Sequence, residues 1–168
     1  MKFAKASAAL LCLLLLTGLL VGCQTGEEAA ERDYFKIGVV TELTGELTYG
    51  GHVTKRGQDA WASKINEEGG IEINGQKYKV ELVYGDAQSD PSVGADAAER
   101  LITEEKVDFL FGPYSSSVTL GVAPIADKYK IPLISGSAES PLIWEQQFEY
   151  TFGILPPVNL FLIKGGLN

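Results

Sequence analysis

Short runs of β-branched and apolar residues recur along the chain: FKIGVVT (35–41), KYKVELVY (77–84), VDFLF (107–111) and IPLIS (131–135). Each is nearly continuous in apolar content, as strands covered on both faces are. Stretches of helical period separate them, and this alternation predicts an α/β fold built on a parallel sheet. EYTFG (149–153) supplies a last strand. Three helices are expected between the strands. The first spans about 51–67, with Val53, Ala60, Trp61 and Ile65 at helical spacing and a glycine stop in EEGG. The second follows SDPS, with Asp90 as N-cap, Pro91 as first helical residue and Val93, Ala97 and Leu101 as its buried stripe. The third begins in the serine run of YSSSVT and turns Val118, Val122, Ile125 and Tyr129 to one face, with Pro124 inside it. Asn74-Gly75 interrupts the alternation with a hairpin signal ahead of the second long strand. The expected strand order is 2-1-3-4-5.

The first 23 residues follow a different pattern. Lys2 and Lys5 precede an apolar run from Ala6 to Val21, shorter than the roughly 20 residues of a spanning helix and typical of a secretory signal. Its end, Leu20-Val21-Gly22-Cys23, resembles the lipobox of bacterial lipoproteins, which implies cleavage before Cys23 and lipidation of its thiol. Residues 24–34 open on the acidic stretch QTGEEAAERD, which reads as a solvated tether. Cys12 lies in the signal, so the expected mature body carries no cysteine for disulfide or thiol chemistry.

Composition narrows the function classes. The chain has 45% hydrophobic and 21% charged residues and a formal charge of -8, so no basic surface is available for a nucleic acid. Neither cofactor nor metal is expected: P-loop, G-x-G-x-x-G and metal-ligand spacings are absent, and Asp86 and Asp90 stand isolated. A serine hydrolase is the remote enzymatic alternative. It lacks a G-x-S-x-G elbow, and the one histidine, His52, falls in the expected loop before the first helix. The reading is therefore not an enzyme. The serines Ser115, Ser116 and Ser117 sit where a strand ends and a helix starts, the position at which open parallel sheets bind ligands. A hydroxyl there either caps the helix or, with the first N–H groups, holds an anion such as a carboxylate.

Together, FKIGVVTELTGELTYGG, GQDAWASKINEEGGI, DAQSDPSVGADAAERLITEEKVDFLFGPYSSSVT, APIADKYKIPLISGSAESP and YTFGILPP resemble the amino-terminal half of a type I periplasmic solute-binding protein. The group they look most like is the branched-chain amino acid and amide receptors of ABC importers. The resemblance implies a ligand-binding lobe over 35–153, a permease partner, and an amino acid or amide-like solute held between two lobes. It places Ser116 at the carboxylate-binding hydroxyl, flanked by Tyr114 and Ser115. Ser137 falls at a small residue offering backbone groups, and Tyr49 at an aromatic lining the cleft. Glu139 stands where receptors of α-amino acids have threonine; it either reads an amine or amide of the ligand or points to water. Residues 154–168 would begin the crossing to a second lobe, but VNLFLIKGGLN is unlike the family's continuation, which implies a truncated first lobe. The lipobox favours an anchored receptor on the extracytoplasmic side over the alternative, a sensory domain of the same fold coupled to signalling.

Overall fold

The computed structural model describes residues 32–160. The signal, Cys23 and most of the tether lie outside them. Six strands form one sheet: β1 (Tyr34–Thr41), β2 (Ile71–Ile73), β3 (Gln76–Asp86), β4 (Phe109–Phe111), β5 (Leu133–Ser135) and β6 (Thr151–Gly153). Their spatial order is β2-β3-β1-β4-β5-β6. Every neighbouring pair is parallel except β2–β3, the antiparallel hairpin. With the hairpin strand set aside, this is the expected 2-1-3-4-5 order. The hairpin turns on Asn74 and Gly75, both at positive φ, 52° and 83°, as a two-residue I′ turn requires.

Four helices connect the strands: α1 (Thr48–Glu67), α2 (Pro91–Thr103), α3 (Ser116–Tyr129) and the five-residue α4 (Pro141–Glu145). Helix α2 starts as its sequence signals, with the Asp90 carboxylate accepting the N–H groups of Ser92 and Val93 and Pro91 at the first position. One side of the sheet carries α2 and α3, whose Ala97, Ala98, Leu101, Val118, Val122 and Ala126 close over Val40, Leu110 and Leu133. The smaller cluster of Ile37, Ala62 and Val80 takes the half-buried Ile65 of α1.

Helix α1 departs from expectation in two ways. It begins at Thr48, three residues early, so Tyr49 and His52 belong to its first turns and not to a preceding loop. Its buried positions are Gly50, Gly51 and Ala62, whereas Val53 and Trp61 are substantially exposed. The reason is close approach. A Cβ on Gly51 would stand 2.0 Å from the Glu42 carbonyl oxygen, so the start of α1 lies backbone against backbone on the end of β1. Small residues make that contact, and Trp61, though partly exposed, lays its ring against Phe111 of β4, with centroids 5.5 Å apart. Among the described residues no helix is long and apolar enough to cross a membrane.

Candidate functional site

The carboxyl ends of the parallel strands all reach one edge of the sheet. There β4 leads through Gly112-Pro113-Tyr114-Ser115 into α3, β5 leads through 136–140 into α4, and β1 leads through 42–47 into α1. Tyr114, Ser115, Ser116, Ser137, Glu139 and Leu155 line an open depression of about 540 Å³ at this edge. Five of them are residues singled out from sequence. The sixth, Leu155, carried no local signal. Tyr49 is not among the lining residues: it stands 82% exposed at the start of α1. Beside it, the Tyr114 ring covers Gly50 so closely that a Cβ there would fall 2.3 Å from it.

The three serines divide their work. Ser115 is the N-cap of α3: its backbone is extended and its Oγ accepts the Val118 N–H at 3.2 Å. Ser117 Oγ lies 3.1 Å from Ser115 Oγ. The Ser116 hydroxyl turns to the neighbouring loop and accepts the N–H groups of Glu139 and Ser140, each at 3.2 Å. A serine oxygen has two lone pairs and one proton. With both acceptor sites used, what Ser116 still offers is its O–H donor. The same bonds tie the 136–140 loop to α3, so Ser116, Ser137 and Glu139 form one unit.

Sequence reasoning missed Glu42. It is wholly buried and contacts the same loop: Oε2 accepts the Tyr114 N–H and Oε1 the Ser115 N–H, both at 3.0 Å, and the Thr41 hydroxyl lies 3.4 Å from Oε2. Two N–H donors just ahead of α3, those of Tyr114 and of its N-cap Ser115, are thus taken by the protein's own carboxylate. Glu42 directly follows a strand, where a carboxylate reads as the first loop residue, and its two N–H partners lie more than seventy positions along the chain.

The 43–47 loop is fixed by Asp86 and Ser89. Asp86 accepts the N–H groups of Leu43, Thr44 and Gln88 and the Thr44 hydroxyl, the last at 2.7 Å. Ser89 Oγ accepts the Leu47 N–H and donates to the Thr44 carbonyl. Burial pushes the Asp86 carboxyl up, but the Thr44 hydroxyl and the three N–H groups outweigh it and hold it below its ordinary value. A depressed carboxyl contributes its stability fully above the unfolded value, about 3.9, and loses it as pH falls through the folded one. Acid titration should therefore loosen this loop below about pH 4, read as faster exchange of the Thr44 amide. In Asp86→Asn that acid step should disappear.

Among the described residues no group of three or more His, Cys, Asp or Glu side chains could hold a metal ion. The hydroxyl partners of Ser115 and Ser116 are backbone N–H groups and another serine, not an imidazole.

Residues 35–157 match the family described as periplasmic binding protein. The chain belongs to this family. Over 116 residues, 69% of this chain, it is 30% identical to Leu/Ile/Val-binding protein homolog 2 of Brucella abortus (strain 2308). It spans only 30% of that relative's length. Among solved structures, the branched-chain amino acid transporter substrate-binding protein LivJ of Streptococcus pneumoniae, in complex with isoleucine, superposes with a TM-score of 0.67 at 30% identity. The match covers 74% of this chain and 34% of LivJ. A solute-binding protein of an R. palustris ABC transporter, in complex with 4-hydroxybenzoate, gives 0.62 at 28% identity, covering 79% and 37%. These periplasmic-binding-protein relatives are substrate-binding proteins and not enzymes, and the mixed α/β fold with its mostly parallel sheet is theirs.

Proposed function

We propose that this chain supplies the ligand-capturing lobe of a lipid-anchored, extracytoplasmic receptor that delivers an amino acid or related small solute to the permease of an ABC importer. One observation carries the reading: in a chain of this family, Tyr114, Ser115, Ser116, Ser137 and Glu139 converge on one depression at the carboxyl edge of the sheet. Ser116 gives its O–H to an acceptor oxygen of the solute. The relatives in complex with isoleucine and with 4-hydroxybenzoate both hold molecules that present a carboxylate, which supports that polarity. Glu139 receives an amine or amide, and Tyr114, 42% exposed, offers an aromatic face. The depression is open, so a second lobe is needed to exclude water. Closure is selected because the solute bridges both lobes, and the closed form is what the permease reads. No chemistry is done on the solute.

Cys23 is the membrane attachment point of this receptor, through a diacylglyceryl thioether. Labelled fatty acid should enter the wild-type protein in producing cells and be absent from Cys23→Ser. Export and cleavage at another position without label would overturn the anchor. The binding reading is tested by calorimetric titration of the receptor with amino acids, in which a saturable heat weakened by Ser116→Ala is expected.

A further inference from the structure

Glu42 is a buried carboxylate that the capture step above does not use. Both of its oxygens are acceptors, for Tyr114 N–H and Ser115 N–H at 3.0 Å, and no basic side chain appears among the hydrogen-bond partners it has. Its charge is balanced by peptide dipoles at the start of α3, the end of that helix where a bound anion would be favoured. The lining of the depression holds one carboxylate, Glu139, and no Lys, Arg or His. The first turn of α3 holds no acidic residue to share the role, and the basic residue of that helix lies in its last turn.

We propose that Glu42 is a specificity-determining residue: it spends the Tyr114 and Ser115 N–H groups on an internal carboxylate and sets a second negative charge behind the site, so that this lobe selects a solute of net positive charge over a zwitterion of the same shape. The proposal rests on the reading that the depression is the solute site. Glu42 acts without touching the solute. Its field passes through the Ser115 and Tyr114 peptides, in surroundings where a charge is poorly screened because the residue is wholly buried. Glu139 alone, only half-buried, would be partly screened by water and would read mainly the group next to it. The two together disfavour a further anionic group anywhere along the ligand.

The test uses the full chain in detergent, isotope-labelled, with three probes of similar length: lysine, norleucine and 2-aminoadipate, with cationic, neutral and anionic side chains. Amide shifts of Ser116, Ser137 and Glu139 report occupancy. Lysine should bind about tenfold more tightly than norleucine and norleucine more tightly than 2-aminoadipate, the order that a poorly screened negative charge imposes. In Glu42→Gln, which removes the charge at nearly constant shape, the spread should collapse by about tenfold while Glu139→Gln keeps part of it. Norleucine binding as tightly as lysine in the unaltered chain overturns the proposal, with no variant needed. So does an undiminished spread in a folded Glu42→Gln. Saturable shifts at Ser116 without a charge order leave the site reading standing and remove only the role of Glu42. Absence of any shift with all three probes, even at the high probe concentrations an open lobe requires, overturns both.

Discussion

Replacing Ser116 with alanine should weaken solute binding by tenfold to a hundredfold in a receptor carrying this lobe, about 1.5 to 3 kcal/mol. Two losses combine. The O–H given to the solute's acceptor oxygen disappears, and the N–H groups of Glu139 and Ser140 lose the oxygen that orients their loop. The neighbouring serines separate this effect from a general one. Ser115→Ala removes the N-cap of α3 and should lower stability by about 1 kcal/mol while changing affinity less. Ser117→Ala, whose hydroxyl meets only Ser115, should change little in either. Calorimetric titration and urea denaturation of the three variants place each serine on its own axis.

Gly51→Ala should prevent cooperative folding. Its Cβ would lie 2.0 Å from the Glu42 oxygen and 2.6 Å from the Glu42 carbonyl carbon, both main-chain atoms. No rotamer relieves a clash with backbone, so α1 would have to lift from the end of β1. That shift would open the Glu42 clamp on Tyr114 and Ser115 as well, and such overpacking exceeds the roughly 1–3 kcal/mol of an added methylene among side chains. Gly57 is the matched control on the same helix: a Cβ there meets nothing within 4 Å. Gly57→Ala should stabilise the protein by about 0.5–1 kcal/mol through helix propensity. Urea melts followed by circular dichroism should show a raised midpoint in Gly57→Ala and no cooperative transition in Gly51→Ala.

The sheet was legible because its signals are local. Continuous apolar runs marked β1, β3, β4 and β5, Asn74-Gly75 marked the hairpin, and Asp90-Pro91 marked the start of α2. Helix α1 hid its beginning because Leu47 precedes it without a side-chain cap and its first turn has no acid. Its contact face was also hidden, since hydrophobic periodicity does not register Gly50 and Gly51 as interior. Helix α4 is too short to show a period, and its start is marked only by Ser140, whose hydroxyl accepts the Leu142 N–H, and by Pro141. At the candidate site, Ser116 and Glu139 could be named from the resemblance, but their hydrogen bond through the loop joins residues from two strand ends and is not written in either segment. Glu42 is the extreme case. A carboxylate becomes a buried clamp only when β1 and β4 lie side by side, and no local pattern encodes that pairing.

The central claim is that the depression between α3 and the 136–140 loop captures a solute through Ser116. Crystals of the solute-loaded receptor containing this lobe test it most directly. An acceptor oxygen of the solute should lie within hydrogen-bond distance of Ser116 Oγ, with Tyr114 and Glu139 against the same molecule. A solute bound elsewhere, with the Ser116 hydroxyl facing none of its atoms, would contradict the account.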